Sequence, residues 1–432
     1  MRPEMLQVQQ YIQIHPVRKE SYKTRIKYIV FLSYMKEMIG EIDQWSEGVI
    51  SLYTDKLVSD DEREKGSKLL SKINSISQCK VFKYRYFLLT DCLFAYCFED
   101  GEKAQNIVEL FVEVYGERFR KKFQTLCNAF YSEGSDIVKK QFRNLSEIYS
   151  VIWGNRAFKN SPLKRIMITA NMSAGKSTLL NALAGKKVNK TQNDTCTAKL
   201  HYLYNKAGED GFSYELDHDL ELDASLDILM TDNDENDSTD IVVGTRFRSI
   251  NDIDDHICFI DTPGVNSSMD KEHRKIANHA ISSEQCDVLI YLFNAENIGT
   301  DDDKDHLRYV KENYKGRILF LVNRLDNFKA HESVGDTVKS EKDDLVEMGF
   351  ENPEVYPISA YAAYLGKMIL KGEILSYEED EELHDLMRKL KKDSFCYDKY
   401  YPVEINANAS NSIDELLLHS GILSLESLLY SV

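Results

Sequence analysis

The sequence has no long apolar run, no Cys-x-x-Cys spacing and no excess of basic residues. Its longest apolar stretches, around Tyr28–Met35 and Val288–Phe293, are far shorter than the ~20 residues that a helix needs to cross a bilayer. The first residues, Met1–Glu4, contain no signal-peptide core. These absences predict a cytoplasmic protein that is neither transmembrane nor secreted.

Cysteine and charge exclude two further classes of protein. The eight cysteines stand mostly among apolar neighbours, which is typical of reduced, buried thiols. Cys92 and Cys97 lack a nearby Cys or His pair that would complete four metal ligands, so both are expected to be core thiols. The formal net charge is −17, whereas a nucleic-acid partner requires a basic surface. We therefore expect no nucleic acid as the main partner.

The length of 432 residues favours two or three domains. Residues 1–160 carry apolar side chains at helical spacing and predict an all-helical domain, with a boundary near Asn160–Leu163. The predicted helical segments are Tyr22–Ile42, Asp60–Ile76, Lys80–Phe98, Glu102–Phe130 and Ser135–Trp153. Glu99–Gly101 is predicted as a turn between helices.

Residues 161–432 alternate short apolar strands with helices, which predicts an α/β domain with a mostly parallel sheet. In such a domain, ligands lie at the carboxyl ends of the strands. Residues 205–240 form an acidic insertion, and Asp232–Asp237 lacks the glycine of a Ca²⁺ loop, so a solvated loop is expected. The C-terminal helices are predicted over Glu378–Lys392 and Ile413–Tyr430, the second with a break at Ser420-Gly421.

One stretch, Ile166–Leu180, combines an apolar strand, a loop of small residues and the start of a helix at Gly175-Lys176-Ser177-Thr178. This is the pattern of a phosphate loop, in which backbone N–H groups and a helix N-terminus hold phosphate oxygens. Ala170 stands in place of the usual first glycine. The candidate nucleotide-binding residues here are Asn171, Met172, Ser173, Ala174, Gly175, Lys176, Ser177 and Thr178. Lys176 would reach the β- and γ-phosphates, and the Ser177 hydroxyl would ligate Mg²⁺.

Three further short motifs follow predicted strands. Asp261 of Asp261-x-x-Gly264 would hold Mg²⁺, while the Gly264 N–H would sense the γ-phosphate. In Asn323-Arg324-x-Asp326, the Asp326 carboxylate would accept hydrogen bonds from guanine. Asn323 would brace that loop, and the stem of Arg324 would lie against the base.

The last motif, Ser359-Ala360, would close over the base edge with backbone N–H groups. Val265 follows Asp261-x-x-Gly264 where small GTPases carry a glutamine, and valine cannot orient water. The order of all these elements is the layout of a GTPase that binds GTP or GDP with Mg²⁺. Because Val265 cannot orient the attacking water, catalysis must use the phosphate loop, a threonine loop, a cation or a partner.

These residues resemble the dynamin superfamily. Met172–Thr178 resembles the dynamin phosphate loop, and Cys196-Thr197-Ala198 is similar to the threonine loop of bacterial dynamin-like proteins. The long segment between that loop and Asp261 also fits a large GTPase. The closing sequence SGILSLESLL resembles the end of bacterial dynamin-like G domains. The motif resemblance covers roughly residues 166–361.

The resemblance implies a mechanism. Ser173 would help to polarise the bridging oxygen together with a K⁺ or Na⁺ ion, and Thr197 would hold Mg²⁺ and the attacking water. Thr195 is the alternative for the threonine role. G domains would pair face to face when GTP is bound, and the helical region would move. The N-terminal helices or a dynamin-like partner protein would replace the family's long stalk, and peripheral membrane contact is compatible with the family.

Two alternatives stay open. One is a non-hydrolysing GTP-binding scaffold or regulator in a bacterial defence or secretion-associated system, which Val265 favours. The other is a monomeric Era- or septin-like GTPase.

Overall fold

The computed structural model describes residues 6–40, 43–64, 76–132, 136–188, 199–217, 219–229, 240–248, 256–265, 271–329, 332–405 and 411–430. The chain divides into two compact units. The first comprises residues 1–161 and 206–224, and the second comprises residues 162–205 and 225–432. The acidic insertion that the sequence analysis assigned to the second domain is thus shared between the units.

The N-terminal part of the first unit is helical, as its apolar spacing predicts. Its α-helices are α1 (Val8–Gln13), α2 (Tyr22–Ile39), α3 (Gln44–Leu57), α4 (Arg85–Tyr96), α5 (Gly101–Tyr115), α6 (Arg120–Tyr131), α7 (Asp136–Gln141) and α8 (Ser146–Asn160). Asp100 caps α5 by accepting a 2.8 Å hydrogen bond from the Lys103 N–H, which confirms the predicted turn before this helix. Cys92 and Cys97 are buried free thiols, as expected.

Two predicted helices are each broken in the structure. Glu102–Phe130 was expected as one helix, but Gly116 adopts φ +105° and separates α5 from α6. Only glycine takes this conformation without steric cost, and the apolar stripe continues on both sides because both helices face the same core. Ser135–Trp153 is likewise divided, since Arg143–Leu145 forms a 3₁₀ turn between α7 and α8. Most of the predicted helix Asp60–Ile76 lies outside the described residues.

A buried polar network joins the helices of this unit. The Asp91 carboxylate on α4 accepts hydrogen bonds from Tyr11 of α1, at 2.6 Å, and from Tyr28 of α2. His15 lies 3.3 Å from the same carboxylate. Its Nδ1 accepts the Val17 N–H, so its Nε2 carries the proton toward Asp91. Since Asp91 is 1% exposed, these donors replace the water that would otherwise bind its oxygens.

Residues 206–224 add a hairpin to the first unit. Strands β3 (Ser213–Leu216) and β4 (Leu220–Ala224) pair antiparallel, a hairpin that the sequence analysis did not predict for this part of the acidic insertion. Lys206 and Asp210 form a fully buried ion pair at 2.6 Å. The Tyr214 hydroxyl accepts the Val8 N–H at 2.8 Å. In β4 the alternating residues Leu220, Leu222 and Ala224 are buried, so one face of this strand lies in the core. Asp232–Asp237 lies outside the described residues.

The second unit contains a mostly parallel sheet. Its strands are β1 (Lys164–Ala170), β2 (Leu200–Asn205), β5 (Asp240–Thr245), β6 (Ile257–Asp261), β7 (Val288–Asn294), β8 (Arg317–Asn323) and β9 (Glu354–Pro357). They lie in the order β5-β2-β6-β1-β7-β8-β9, and all neighbouring pairs are parallel except β2 with β6. The central strand β7 is buried along its whole length. The carboxyl ends of β1, β6, β7, β8 and β9 therefore meet at one edge.

Helices of the second unit connect and cover these strands. They are α9 (Lys176–Ala184), α10 (Leu226–Leu229), α11 (Lys271–Ser283), α12 (Asp301–Asn313), α13 (Val334–Glu347), α14 (Ala360–Leu370), α15 (Tyr377–Leu390), α16 (Ser412–His419) and α17 (Ile422–Tyr430). The predicted break at Ser420-Gly421 separates α16 from α17, with Gly421 at φ +83°. No helix within the described ranges combines the length and apolarity that crossing a lipid bilayer requires.

Buried polar contacts of Lys367 join the C-terminal helices to α9, the helix that follows the phosphate loop. Lys367 of α14 pairs with Glu426 of α17, and both side chains are almost wholly buried. The Lys367 ammonium also lies 3.5 Å from the Leu183 carbonyl near the end of α9. A cation is stabilised at a helix C-terminus, where carbonyl groups have no helical partner.

Candidate functional site

The phosphate loop turns at two residues with positive φ, Ser173 (+62°) and Gly175 (+92°). The Ala174 N–H donates to the Asn171 carbonyl at 3.4 Å and closes this turn. A Cβ atom at Gly175 would stand 2.4 Å from Asn323 Nδ2, so only glycine fits here. Helix α9 then begins at Lys176, with Ser177 and Thr178 in its first turn. The predicted strand, loop and helix are thus confirmed.

Lys176 and Asp261 form an ion pair at the mouth of the sheet. Lys176 Nζ lies 2.5 Å from Asp261 Oδ1, and the two side chains are 13% and 10% exposed. They lie close together because β1, which leads into the phosphate loop and Lys176, is the parallel neighbour of β6, which ends at Asp261. The sequence placed both residues beside the same phosphate tail, and the structure brings them into contact.

The loop after Asp261 runs alongside the phosphate loop. Asn171 and Val265 form a parallel bridge, and the Val265 N–H donates to the Ala170 carbonyl at 3.2 Å. A Cβ atom at Gly264 would meet the Met172 Cα at 3.4 Å. The Val265 side chain is fully buried. It therefore closes the space between the two loops and does not face solvent.

Asn323 joins three of the predicted motifs. Its amide nitrogen donates to the Ala174 carbonyl of the phosphate loop at 2.8 Å. Its amide oxygen accepts the Ala360 N–H at 3.0 Å. The side chain is 4% exposed, so both hydrogen bonds are shielded from water. The loop of Asp326 and the Ser359-Ala360 turn are thus tied directly to the phosphate loop.

Asp326 lies in a 3₁₀ turn, Leu325–Asn327, that follows β8. Burial raises the pKa of its carboxyl, while the Ser359 hydroxyl, Lys389 and Arg324 act in the opposite direction. Lys389 of α15 donates to the Asp326 and Phe328 carbonyls. One ammonium group therefore binds the middle residue of this turn and the residue that follows the turn.

Ser359, Ala360 and Arg324, which the sequence predicts to contact the base, make other contacts in this structure. The Ala360 N–H donates to Asn323, and the Ser359 N–H donates to the Ser420 carbonyl at 3.0 Å. Neither N–H is directed at a base edge, because each satisfies an acceptor within the fold. Arg324 adopts φ +66°, and its guanidinium lies 3.8 Å from Glu296. The guanidinium thus lies beside Glu296, and the contact of the Arg324 stem with the base stays a prediction.

Sequence reasoning missed three residues that shape the site. Asn294, the last residue of β7, donates to the Ser173 carbonyl at 3.4 Å. Asp303 of α12 accepts a hydrogen bond from the Asn171 side chain. Lys389 is the third. The sequence contains a signal for Asn294, because this residue ends a buried strand at the sheet edge where ligands are expected. Asp303 and Lys389 have no such signal, because both are distant in sequence from the residues that they contact. Thr195 and Thr197 lie outside the described residues.

Comparison with known proteins fits this geometry. The model of the dynamin family matches residues 166–325, the range from the phosphate-loop strand to the start of the Asp326 turn. This segment is a dynamin-superfamily G domain. The matched range contains the phosphate loop, the Asp261 loop and the Asn323 strand end, which follow one another in this order along the chain and lie at one edge of the sheet.

Relatives of this G domain match only part of their own length. Dynamin-like protein A of Bacillus subtilis is 27% identical over 200 residues, 44% of this chain and 16% of that protein. GTPase Obg of Malacoplasma penetrans is 26% identical over 141 residues, 31% of this chain and 32% of that protein. An Era variant from Aquifex aeolicus, solved with GDP and AlF4⁻, is 19% identical over 54% of this chain and 70% of that chain, with a TM-score of 0.29. The chain thus spans less than a third of each of these two curated relatives.

Proposed function

We propose that the chain is a dynamin-like GTPase that binds GTP with Mg²⁺, hydrolyses it to GDP and phosphate, and couples the reaction to pairing of G domains. The observation that carries this proposal is the Asn323 side chain, which links the phosphate loop to the loop of Asp326. A GTPase needs those two loops at a constant separation, because one nucleotide spans both.

The donors at the sheet edge fit a magnesium ion. Mg²⁺ prefers hard oxygen ligands, and the Ser177 hydroxyl and the Asp261 carboxylate, 10% exposed, are such ligands. We assign Ser177, Asp261 and Thr197 to this ion. When bound, it neutralises charge on the β- and γ-phosphates. When nucleotide binds, the Lys176 ammonium would leave Asp261 and pair with phosphate oxygens, since it already lies at the mouth of the sheet.

Guanine recognition is assigned to Asp326. Its carboxylate can accept from N1–H and from the exocyclic amine of guanine together, whereas adenine offers no such pair of donors. With adenine in the pocket, the partly buried Asp326 carboxylate would lack these donors. Leaving it unpaired costs free energy, and this cost is the physical basis of the discrimination. Asn323, Arg324, Ser359 and Ala360 are proposed to shape this pocket, with the backbone arrangement already described.

Hydrolysis is assigned to the phosphate loop and the threonine loop. Water attacks the γ-phosphorus, the bond to the β–γ bridging oxygen breaks, and GDP leaves with inorganic phosphate. Ser173 would donate toward the bridging oxygen, with K⁺ or Na⁺ as a further cation, and Thr197 would orient the water. Lys176 and the amides of residues 171–178, together with Gly264, would stabilise the developing charge. Pairing of two G domains would complete the site.

The test is nucleotide binding and turnover with purified protein. GTP is expected to bind at least tenfold more tightly than ATP, and turnover per molecule is expected to rise with protein concentration in K⁺. Lys176→Ala is expected to abolish turnover, whereas Lys304→Ala, an exposed lysine of α12, leaves it unchanged. Equal affinity for GTP and ATP, or turnover that survives Lys176→Ala, would contradict the proposal.

A second candidate is a GTP-binding scaffold that does not hydrolyse. The buried Val265 favours it, because the position that carries a water-orienting glutamine in small GTPases here fills a gap between loops. Tight GTP binding without turnover at high protein concentration in K⁺ would select this candidate. Localisation at a membrane surface and a dynamin-like partner protein are further proposals, which co-sedimentation with vesicles and co-purification would test.

A further inference from the structure

A buried polar cluster lies directly behind the phosphate loop. The Asn171 amide donates to the Asp303 carboxylate of α12. Two residues before Asn171, the hydroxyl of Thr169 in β1 lies 2.8 Å from His306 Nε2. Asp303 is 5% exposed and His306 is 2% exposed. The nucleotide-binding role proposed above uses Asn171 but neither of the two residues of α12.

The Asp303 carboxylate is held in place by its own surroundings. The Thr300 hydroxyl donates to Oδ2, and the Tyr291 hydroxyl donates to Oδ1, both at 3.4 Å. The Thr300 side chain also caps α12 by accepting the Asp303 N–H. A carboxylate oriented in this way offers Asn171 a stationary acceptor. The position of the Asn171 side chain is therefore determined from α12.

Asn171 in turn connects the phosphate loop with the loop after Asp261. Its carbonyl accepts the Ala174 N–H that closes the phosphate loop, and its backbone bridges to Val265. The Thr262 hydroxyl, in the loop after β6, donates to the Thr169 hydroxyl at 3.2 Å. Both nucleotide loops thus rest on this cluster. A change in the cluster reaches the phosphate-binding amides without any contact to nucleotide.

We propose that Asp303 is a positioning residue of the phosphate loop, which acts through Asn171, and that its negative charge tightens the binding of guanine nucleotide. This inference rests on the proposed function, because it concerns the same nucleotide site. A hydrogen bond to a charged acceptor is about twice as strong as a neutral one. The loop is accordingly held most firmly when Asp303 is ionised.

The cluster titrates in an accessible range of pH. Burial raises the pKa of Asp303 to about 6, and nearby Asp302 adds to this shift. Burial also raises the pKa of Glu341 on α13 to about 7, with contributions from Asp344 and Asp303. Burial lowers the pKa of His306 to about 4, so the imidazole is neutral. The charged and titratable groups that face Asp303 or its neighbours are Asp302 and His306 of α12, Tyr291 of β7, Glu341 of α13 and Arg274 of α11.

The experiment measures the affinity of the full chain for a fluorescent GDP between pH 5 and pH 8. Three proteins are compared: wild type, Asp303→Asn and the matched control Asp301→Asn, an exposed aspartate in the same turn of α12. At pH 7.5 we expect Asp303→Asn to bind about fivefold more weakly than wild type. The ratio of the wild-type affinity to the Asp303→Asn affinity should fall toward one at pH 5, where wild-type Asp303 is protonated. Asp301→Asn should match wild type throughout. The ratio is the informative quantity, because titration of the GDP phosphate cancels in it.

A second variant keeps the inference testable if Asp303→Asn does not fold. Asp302→Asn removes the neighbouring negative charge that raises the pKa of Asp303, so the pH midpoint of the affinity change should move below the wild-type midpoint. An affinity ratio that is constant with pH, or a midpoint that Asp302→Asn leaves in place, overturns the inference while nucleotide binding itself stands. A wild-type chain that binds GDP at no pH overturns the proposed function as well.

Discussion

At the scale of single residues, Asn323 has the largest geometric role in the site, although it is not the residue assigned to the base. It satisfies a carbonyl of the phosphate loop and an N–H of the α14 N-terminus at once. Asn is suited to this position because its amide carries a donor and an acceptor on one rigid group. Gly175 is constrained by the same side chain, which occupies the space where a Cβ atom would stand.

Replacement of Asn323 by Ala should therefore lower both stability and affinity. It leaves the Ala174 carbonyl and the Ala360 N–H without their buried partner, at a cost of about 2–4 kcal/mol in the free energy of unfolding. Urea denaturation and fluorescent-GDP titration measure the two effects. Asn327→Ala is the control, since that exposed amide bonds only to Glu296 among the contacts found in the described part of the chain. Equal stability of the two variants would contradict the role assigned to Asn323.

The raised pKa of Asp303 also predicts how stability depends on pH. A carboxyl whose pKa is about 6 in the folded protein and about 3.9 in the unfolded chain binds more protons when folded. Stability contributed by this group is complete below pH 4 and is lost as the pH rises through 6, by up to about 3 kcal/mol. Asp303→Asn should remove this slope, as urea denaturation between pH 4.5 and 7.5 would show. A slope shared by both proteins would assign it to other groups.

At the scale of elements, helix α15 supports the loop that carries Asp326. Lys389, in the last turn of α15, donates to two carbonyls of the turn after β8 and lies 4.9 Å from the centre of the Phe395 ring. The N-terminus of this helix is capped by a capping box formed by Ser376 and Glu379. A helix that begins well past the last nucleotide motif thus participates in the geometry of the base pocket.

Replacement of Lys389 by Met retains the apolar stem and removes the ammonium group. The Asp326 turn then loses its tether and a cation that favours the ionised carboxylate, so the preference for GTP over ATP should fall about tenfold. Competition binding with GTP and ATP measures this ratio. Lys392→Met, at an exposed position just beyond the helix, is expected to keep the wild-type ratio. A wild-type preference in Lys389→Met would show that α15 has no part in base selection.

At the scale of the whole molecule, the chain alternates between its two units. It forms β1 and β2 in the second unit, contributes the β3–β4 hairpin to the first unit, and then returns to the second at residue 225. The segment 189–198, which contains Thr195 and Thr197, precedes β2 directly in sequence. In the sequence, the single strand β2 therefore lies between the proposed threonine loop and the hairpin of the first unit.

If G domains pair around GTP, the molar mass in solution should depend on nucleotide. Light scattering at ~50 μM protein is expected to give a monomer with GDP and a dimer with GDP and aluminium fluoride in K⁺ buffer, because pairing would stabilise the transition-state complex. Lys176→Ala should stay monomeric in both. A wild-type monomer in both states would favour the Era-like alternative.

The sequence by itself determined the elements whose causes are local. The phosphate loop, the start of α9, the strands that end in Asp261 and Asn323, and the break at Gly421 follow from apolar runs, glycines and short polar motifs, which act over a few residues. Gly116 shows the limit of that reasoning, since an unbroken apolar stripe concealed a break between two helices.

Only the tertiary structure decided which of these elements touch. Asn171 and Asp303 are 132 positions apart, and Asn323 and Ala174 are 149 apart. No periodicity links such positions, because a hydrogen bond between side chains of different elements depends on where the sheet order places their ends. The same reason explains why Ser359 and Ala360 give their N–H groups to the fold, and why Lys389 reaches the Asp326 turn.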